Sequence, residues 1–91
     1  MRIDAKEVGM ANAAAVAELG RAAIAQGDAA FDLSAVARCD SSAVAVLLDW
    51  QRAAQLRGLV LRVDSVPPGL ASLATVYGVD DLLPALASGV A

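Results

Sequence analysis

Apolar and polar positions along this chain switch between two rhythms, and the switching predicts alternating strands and helices. Residues 2–7 alternate weakly, with Ile3, Ala5 and Val8 on one side and Asp4 and Lys6 on the other. That pattern predicts a short, half-exposed edge strand. Asn12, a good N-cap residue, then precedes an alanine-rich run. Val16, Leu19, Ala23 and Ile24 recur there at helical spacing, with Glu18 and Arg21 turned outward, until Gly27-Asp28 ends the pattern. Gly20 either weakens this helix locally or marks a neighbour that packs close. Residues 29–33 form an apolar run suited to a buried strand, and 34–38 read as a connection. Asp40 or Ser41 caps a long helix reaching about Arg57, with Gly58 as its stop. Residues 59–63 are the clearest strand, apolar except for Arg62. Pro67-Pro68-Gly69 starts a third helix with Leu70, Leu73, Ala74 and Tyr77 as its stripe. A short final helix from Asp80 or Asp81 carries Leu82, Leu83 and Leu86. The order strand, helix, strand, helix, strand, helix, helix predicts an α/β domain. Its small, mostly parallel sheet has three to four strands packed against about four helices.

The helix after Asp40 departs from an ordinary amphipathic pattern. At 100° per residue, Ala43, Leu47, Trp50 and Ala54 cluster as the core face. The other side carries Ser41, Ala45, Leu48, Asp49, Arg52 and Leu56, which is more apolar than an outward face normally is. Ala45 and Leu48 beside Ser41, framed by Asp49 and Arg52, look like a small docking patch with a polar rim. The same corner places Asp40, Ser41 and Ser42 at the positive end of a helix dipole, on the strand-end edge where α/β domains meet ligands and partners. On the residues alone two readings stay open: a helix cap beside an ordinary exposed leucine, or a working surface.

Composition narrows the choice. The chain has 91 residues, 58 % of them apolar and 3 % aromatic. This predicts one domain over residues 1–91, with a core of Ala, Val and Leu and some apolar surface left for a partner. Net charge is −3 with no basic run, so nucleic acid is not an expected partner. No apolar run is long enough to span a membrane, and the first residues carry no secretory pattern. A single cysteine, Cys39, fits a cytoplasmic setting and packs as a small apolar residue. There is no histidine, and no nucleophile–base pair or metal-ligand spacing. No enzyme, no cofactor and no metal site is therefore expected. Trp50 reads as a core anchor, Tyr77 as a packed ring with its hydroxyl at the rim, and Asp80-Asp81 as a cap.

The stretch FDLSAVARCDSSAVAVLLDWQRAAQLRGLVLRV, continuing to SLATVYGVDDLL, resembles STAS domains. Phe31-Asp32-Leu33-Ser34 is similar to the family's central strand, and Asp40-Ser41-Ser42-Ala43 to its Asp-Ser/Thr-small-Gly signature, with Ala43 where Gly is frequent. The tail from Leu73 to Pro84 is similar to the MlaB-like branch, the STAS subunits of bacterial phospholipid ABC transporters. Relative to the family, residues 2–8 stand either as a reduced N-terminal strand pair or as a start set late. The resemblance implies a non-enzymatic adaptor. It would bind the transporter's ATPase through Asp40, Ser41, Ser42, Ala45, Leu48, Asp49, Arg52 and Tyr77, and reach the inner membrane only through that complex. It also implies an alternative, an anti-sigma factor antagonist switched when a kinase phosphorylates Ser41. A nucleotide site at the same helix end is disfavoured, because no Gly-rich phosphate loop precedes it.

Overall fold

A computed structural model describes residues 1–78. Its elements are β1 (Glu7–Val8), α1 (Ala13–Ala25), β2 (Ala30–Asp32), β3 (Arg38–Cys39), α2 (Ser41–Leu56), β4 (Arg62–Asp64) and α3 (Pro68–Val76). The expected final helix, with Asp80-Asp81 as its cap, lies outside the described residues.

All strand pairing is parallel, as the alternation of strands and helices requires. β2 pairs with β4 from Ala30↔Arg62 to Asp32↔Asp64, and β1 pairs with β3 at Glu7↔Arg38 and Val8↔Cys39. The two ladders are separate two-stranded sheets, and an isolated bridge, Arg2↔Asp32, sets the segment before β1 beside β2. The offset between partners is 32 − 2 = 30 at the bridge and 38 − 7 = 31 in the β1–β3 ladder. One parallel neighbour therefore runs beside residues 32–39, with one extra residue taken up where the Val36 amide donates to the Leu33 carbonyl, 2.9 Å. The edge strand expected over 2–7 is thus two short contacts along this line. The connection expected over 34–38 ends in a strand, β3, too short to leave a period in the sequence. The strand expected over 59–63 pairs three residues later than its apolar start, at Arg62–Asp64. Val60 is left 83 % exposed.

Side chains alternate across this sheet. Ile3, Phe31, Leu33, Leu61 and Val63 are buried beneath the helices, while Arg2, Asp4, Arg62 and Asp64 are exposed. Trp50 of α2 closes the core. Its ring stacks on Phe31 with centroids 4.3 Å apart and planes 18° from parallel, and its Nε1–H donates to the Ala17 carbonyl of α1 at 3.1 Å. The indole lies against Gly20, where an added Cβ would come within 2.0 Å of Trp50 Nε1. Gly20 is the close-approach position, not a weak point.

This packing revises the face of α1. The buried stripe is Val16, Ala17, Gly20 and Ile24, and Leu19 is 52 % exposed. Small residues face α2 because the indole fills the space that larger ones would take. Asn12 precedes α1 but does not cap it through its side chain. Its Oδ1 accepts from the Gly9 amide at 2.9 Å and its Nδ2 donates to the Glu7 carbonyl at 2.8 Å, so it ties down the β1–α1 turn.

Gly20→Ala is expected to destabilise the domain by roughly 1–3 kcal/mol, since overpacking against a ring that cannot shift outweighs the ~1 kcal/mol gain in helix propensity. Gly69→Ala, where an added Cβ meets nothing within 4 Å, is expected to cause no loss. Urea unfolding followed by Trp50 fluorescence separates the two, and equal midpoints for both variants would contradict the wedge.

Candidate functional site

The site is built on the first turn of α2 and the stripe that runs from it. Asp40 is the N-cap: its backbone is extended (φ −117°, ψ −167°) and its Oδ1 accepts from the Ser42 amide at 2.8 Å. That resolves which residue caps the helix and leaves the Ser41 side chain outside the capping bond. The Ser42 amide, then the Ser42 hydroxyl, hold the Asp40 carboxyl below its ordinary range, with the Met10 amide adding to the effect. Gly9 packs against this carboxylate, and a Cβ there would stand 3.0 Å from Asp40 Oδ2. The β1–α1 turn is therefore held beside the start of α2, and it carries Met10 at 86 % exposure. Met10 is a member of the site that sequence reasoning missed. Its only signal is an apolar side chain in a Gly-Met-Ala-Asn turn.

The expected patch residues do not all lie on one open face. Ser41, Ala45 and Arg52 are exposed along the outside of α2, joined at its last turn by Leu56 at 82 %. Ser42 is half-buried. Leu48 is half-buried and packs on the core, so it floors the patch instead of standing on it. Asp49 turns sideways to α1, where its Oδ2 accepts from Arg21 at 2.7 Å, while Arg21 also bonds Glu18. Glu18 first, then Asp49, raise the Arg21 pKa, and the cluster clasps α1 to α2. Tyr77 is 56 % exposed instead of packed through its ring, because α3 ends at Val76 and the ring falls past the last turn that meets the core.

Behind the cap, a cleft of about 180 Å³ is lined by Glu7, Val8, Gly9, Arg38, Cys39 and Asp40. Arg38 pairs with Glu7 across its mouth at 3.6 Å. Burial, and then the Asp40 charge, push the Cys39 thiol above its ordinary value, which disfavours the thiolate. Cys39 packs partly on the core, as a small apolar residue does. Among the described residues, no group of three or more His, Cys, Asp or Glu side chains is placed to hold a metal ion. The geometry is that of a surface: a capped helix end, one free hydroxyl and an outward stripe of mixed apolar and cationic character.

The family profile described as "Mlab, STAS domain" matches residues 5–84. The chain belongs to this MlaB-like STAS family. No curated protein and no solved structure matches it. STAS domains are generally regulatory or adaptor modules and not enzymes. In this STAS domain the Asp-Ser-Ser-Ala signature is the cap and first turn of α2, and the central strand is β2, whose Phe31 carries the Trp50 ring.

The capping bond gives this STAS domain an acid-sensitive element. The folded pKa of Asp40 lies below the unfolded value of about 3.9. Its contribution is therefore complete above that value and is lost as pH falls through the folded pKa. Asp40→Asn keeps a capping oxygen without the charge. The variant is expected to be less stable than wild type at pH 7, with the gap narrowing as pH falls below about 3.9 in urea titrations; a gap independent of pH would contradict the charged cap.

Proposed function

We propose that this domain is a non-enzymatic adaptor that binds the ATPase subunit of an Mla-type phospholipid ABC transporter and supports its assembly and activity. The observation that carries the reading is the outer stripe of α2. A helix packed on its own core at Ala43, Leu47, Trp50 and Ala54 keeps Ala45 and Leu56 in water, on the face that starts at the exposed hydroxyl of Ser41. Apolar side chains ranged along one exposed helix face, beside a fixed polar end, fit a docking surface better than a solvated one. Membership of the MlaB-like family supports the transporter ATPase as the partner. Among the described residues no helix is long and apolar enough to cross a membrane, so in this proposal attachment to the inner membrane runs through the complex.

A second reading, an anti-sigma factor antagonist, is favoured by one observation: Ser41 is exposed at the first position of α2. A phosphate there would gain from the helix dipole and be opposed by the neighbouring Asp40 carboxylate. Planted in the docking stripe, it would act by releasing a partner.

Co-purification from the native host distinguishes these readings. Ala45→Arg and Leu56→Asp are expected to strip the ATPase from the domain while leaving its thermal midpoint close to wild type, since both sites are exposed. Substitution at Leu48 would confound the test through the core. Undiminished recovery of the ATPase with both variants would sink the adaptor reading. A phosphate on Ser41 by mass spectrometry, with a kinase in place of the ATPase, would establish the second.

A further inference from the structure

The charges around α2 single out one residue. The basic side chains of the chain are Arg2, Lys6, Arg21, Arg38, Arg52, Arg57 and Arg62. Among the described residues, Arg2 pairs with Asp4, Arg21 with Glu18 and Asp49, Arg38 with Glu7, and Arg62 with Asp64. Lys6, just before β1, is also exposed without an ion pair among the described residues but does not lie on α2, and Arg57 follows the last turn of α2, where a cation complements the negative end of the helix dipole. Arg52 has no such role. The acid three residues before it, Asp49, is taken by Arg21 at 2.7 Å. Arg52 therefore stands exposed, without an ion pair among the described residues, on the outer stripe of α2 in a chain of net charge −3.

Its position relative to the apolar members is fixed by helix geometry. Ala45 and Arg52 are seven residues apart, which places them within about 20° on the wheel and about 10 Å along the axis. Leu56 lies one further turn on. Arginine offers two parallel N–H donors that match a carboxylate, and its charge is permanent.

We propose that the partner presents an acidic side chain to Arg52 and an apolar one to Ala45 over Leu48, about 10 Å apart, as an Asp or Glu and an apolar residue seven positions apart on a helix would. The pairing rests on the adaptor reading, and it makes Arg52 the residue that sets the register of the complex. A partner lacking the carboxylate would leave a guanidinium half-desolvated against apolar surface, which selects against misaligned binding.

The test measures affinity of the intact domain for the purified ATPase subunit of the host's phospholipid-type ABC transporter, at low and high salt. Arg52→Ala is expected to weaken binding roughly tenfold and to flatten its salt dependence. Arg52→Glu should weaken it further, and Arg52→Lys should recover part of the loss, because it restores the charge without the two-pronged geometry. Reversing one ATPase carboxylate to Arg should restore binding by Arg52→Glu. If Leu56→Asp abolishes binding while all three Arg52 variants keep wild-type affinity and salt dependence, the ion pair is overturned and the adaptor reading stands. If the wild-type domain does not bind the ATPase, both fall together.

Discussion

The burial of one indole ring determines how the rest of this domain is arranged. Trp50 lies between the central strand, through its stack on Phe31, and the first helix, through Gly20 and the Ala17 carbonyl. Trp50 and Phe31 are two of the chain's three aromatic residues. The contact fixes the distance of α2 from the sheet and its rotation about its own axis. Rotation matters most for function. Once the side bearing Trp50, Leu47 and Ala54 is committed inward, the side bearing Ser41, Ala45, Arg52 and Leu56 has no choice but to face outward. The interior contact and the outer stripe are two sides of one helix and cannot vary independently.

Electrostatics then set what the exposed end of that helix can do. Its positive pole is already occupied from within by Asp40, whose carboxylate meets the Ser42 amide and is backed by Gly9. An internal anion at that pole reduces the attraction for an external one. The clasp of Arg21 with Glu18 and Asp49 consumes another pair of charges on the flank facing α1. Charge that could have framed a partner is spent holding helices together, and the stripe is left with an uncapped hydroxyl, apolar side chains and a cation.

Much of this was legible in the sequence, and the misses have a common cause. The parallel α/β order, the inward face of α2, the packed Cys39 and the capped corner at Asp40 all follow from periodicity and cap chemistry, which depend on neighbours in sequence. The misses depend on neighbours in space. Leu19 falls on the helical stripe of α1, whereas α1 turns its smallest residues, Ala17 and Gly20, to the indole. Leu48 and Asp49 lay on the outer half of the wheel, but the α1–α2 and α2–α3 contacts wrap further round the helix than one stripe. β3 is two residues long and leaves no alternation to read. Tyr77 fits the helical stripe of α3, yet the helix stops one residue short of it. Met10 carries no period at all, and only the fold of the Gly9 turn beside Asp40 brings it to the site.

The register of the sheet bears on how the chain is made. Residues 1–8 have their partners at 32 and at 38–39, and β2 meets its other neighbour only at Arg62–Asp64. Each of these pairings joins residues about 30 positions apart in sequence. Parallel pairing across such separations is slow, because loop closure must precede the contacts that reward it. Helix α1, formed locally, must wait likewise for Trp50. The pairing of β2 is therefore complete only once residues 62–64 are available, and until residues 32–39 are in place the segment of residues 2–8 has no strand beside it.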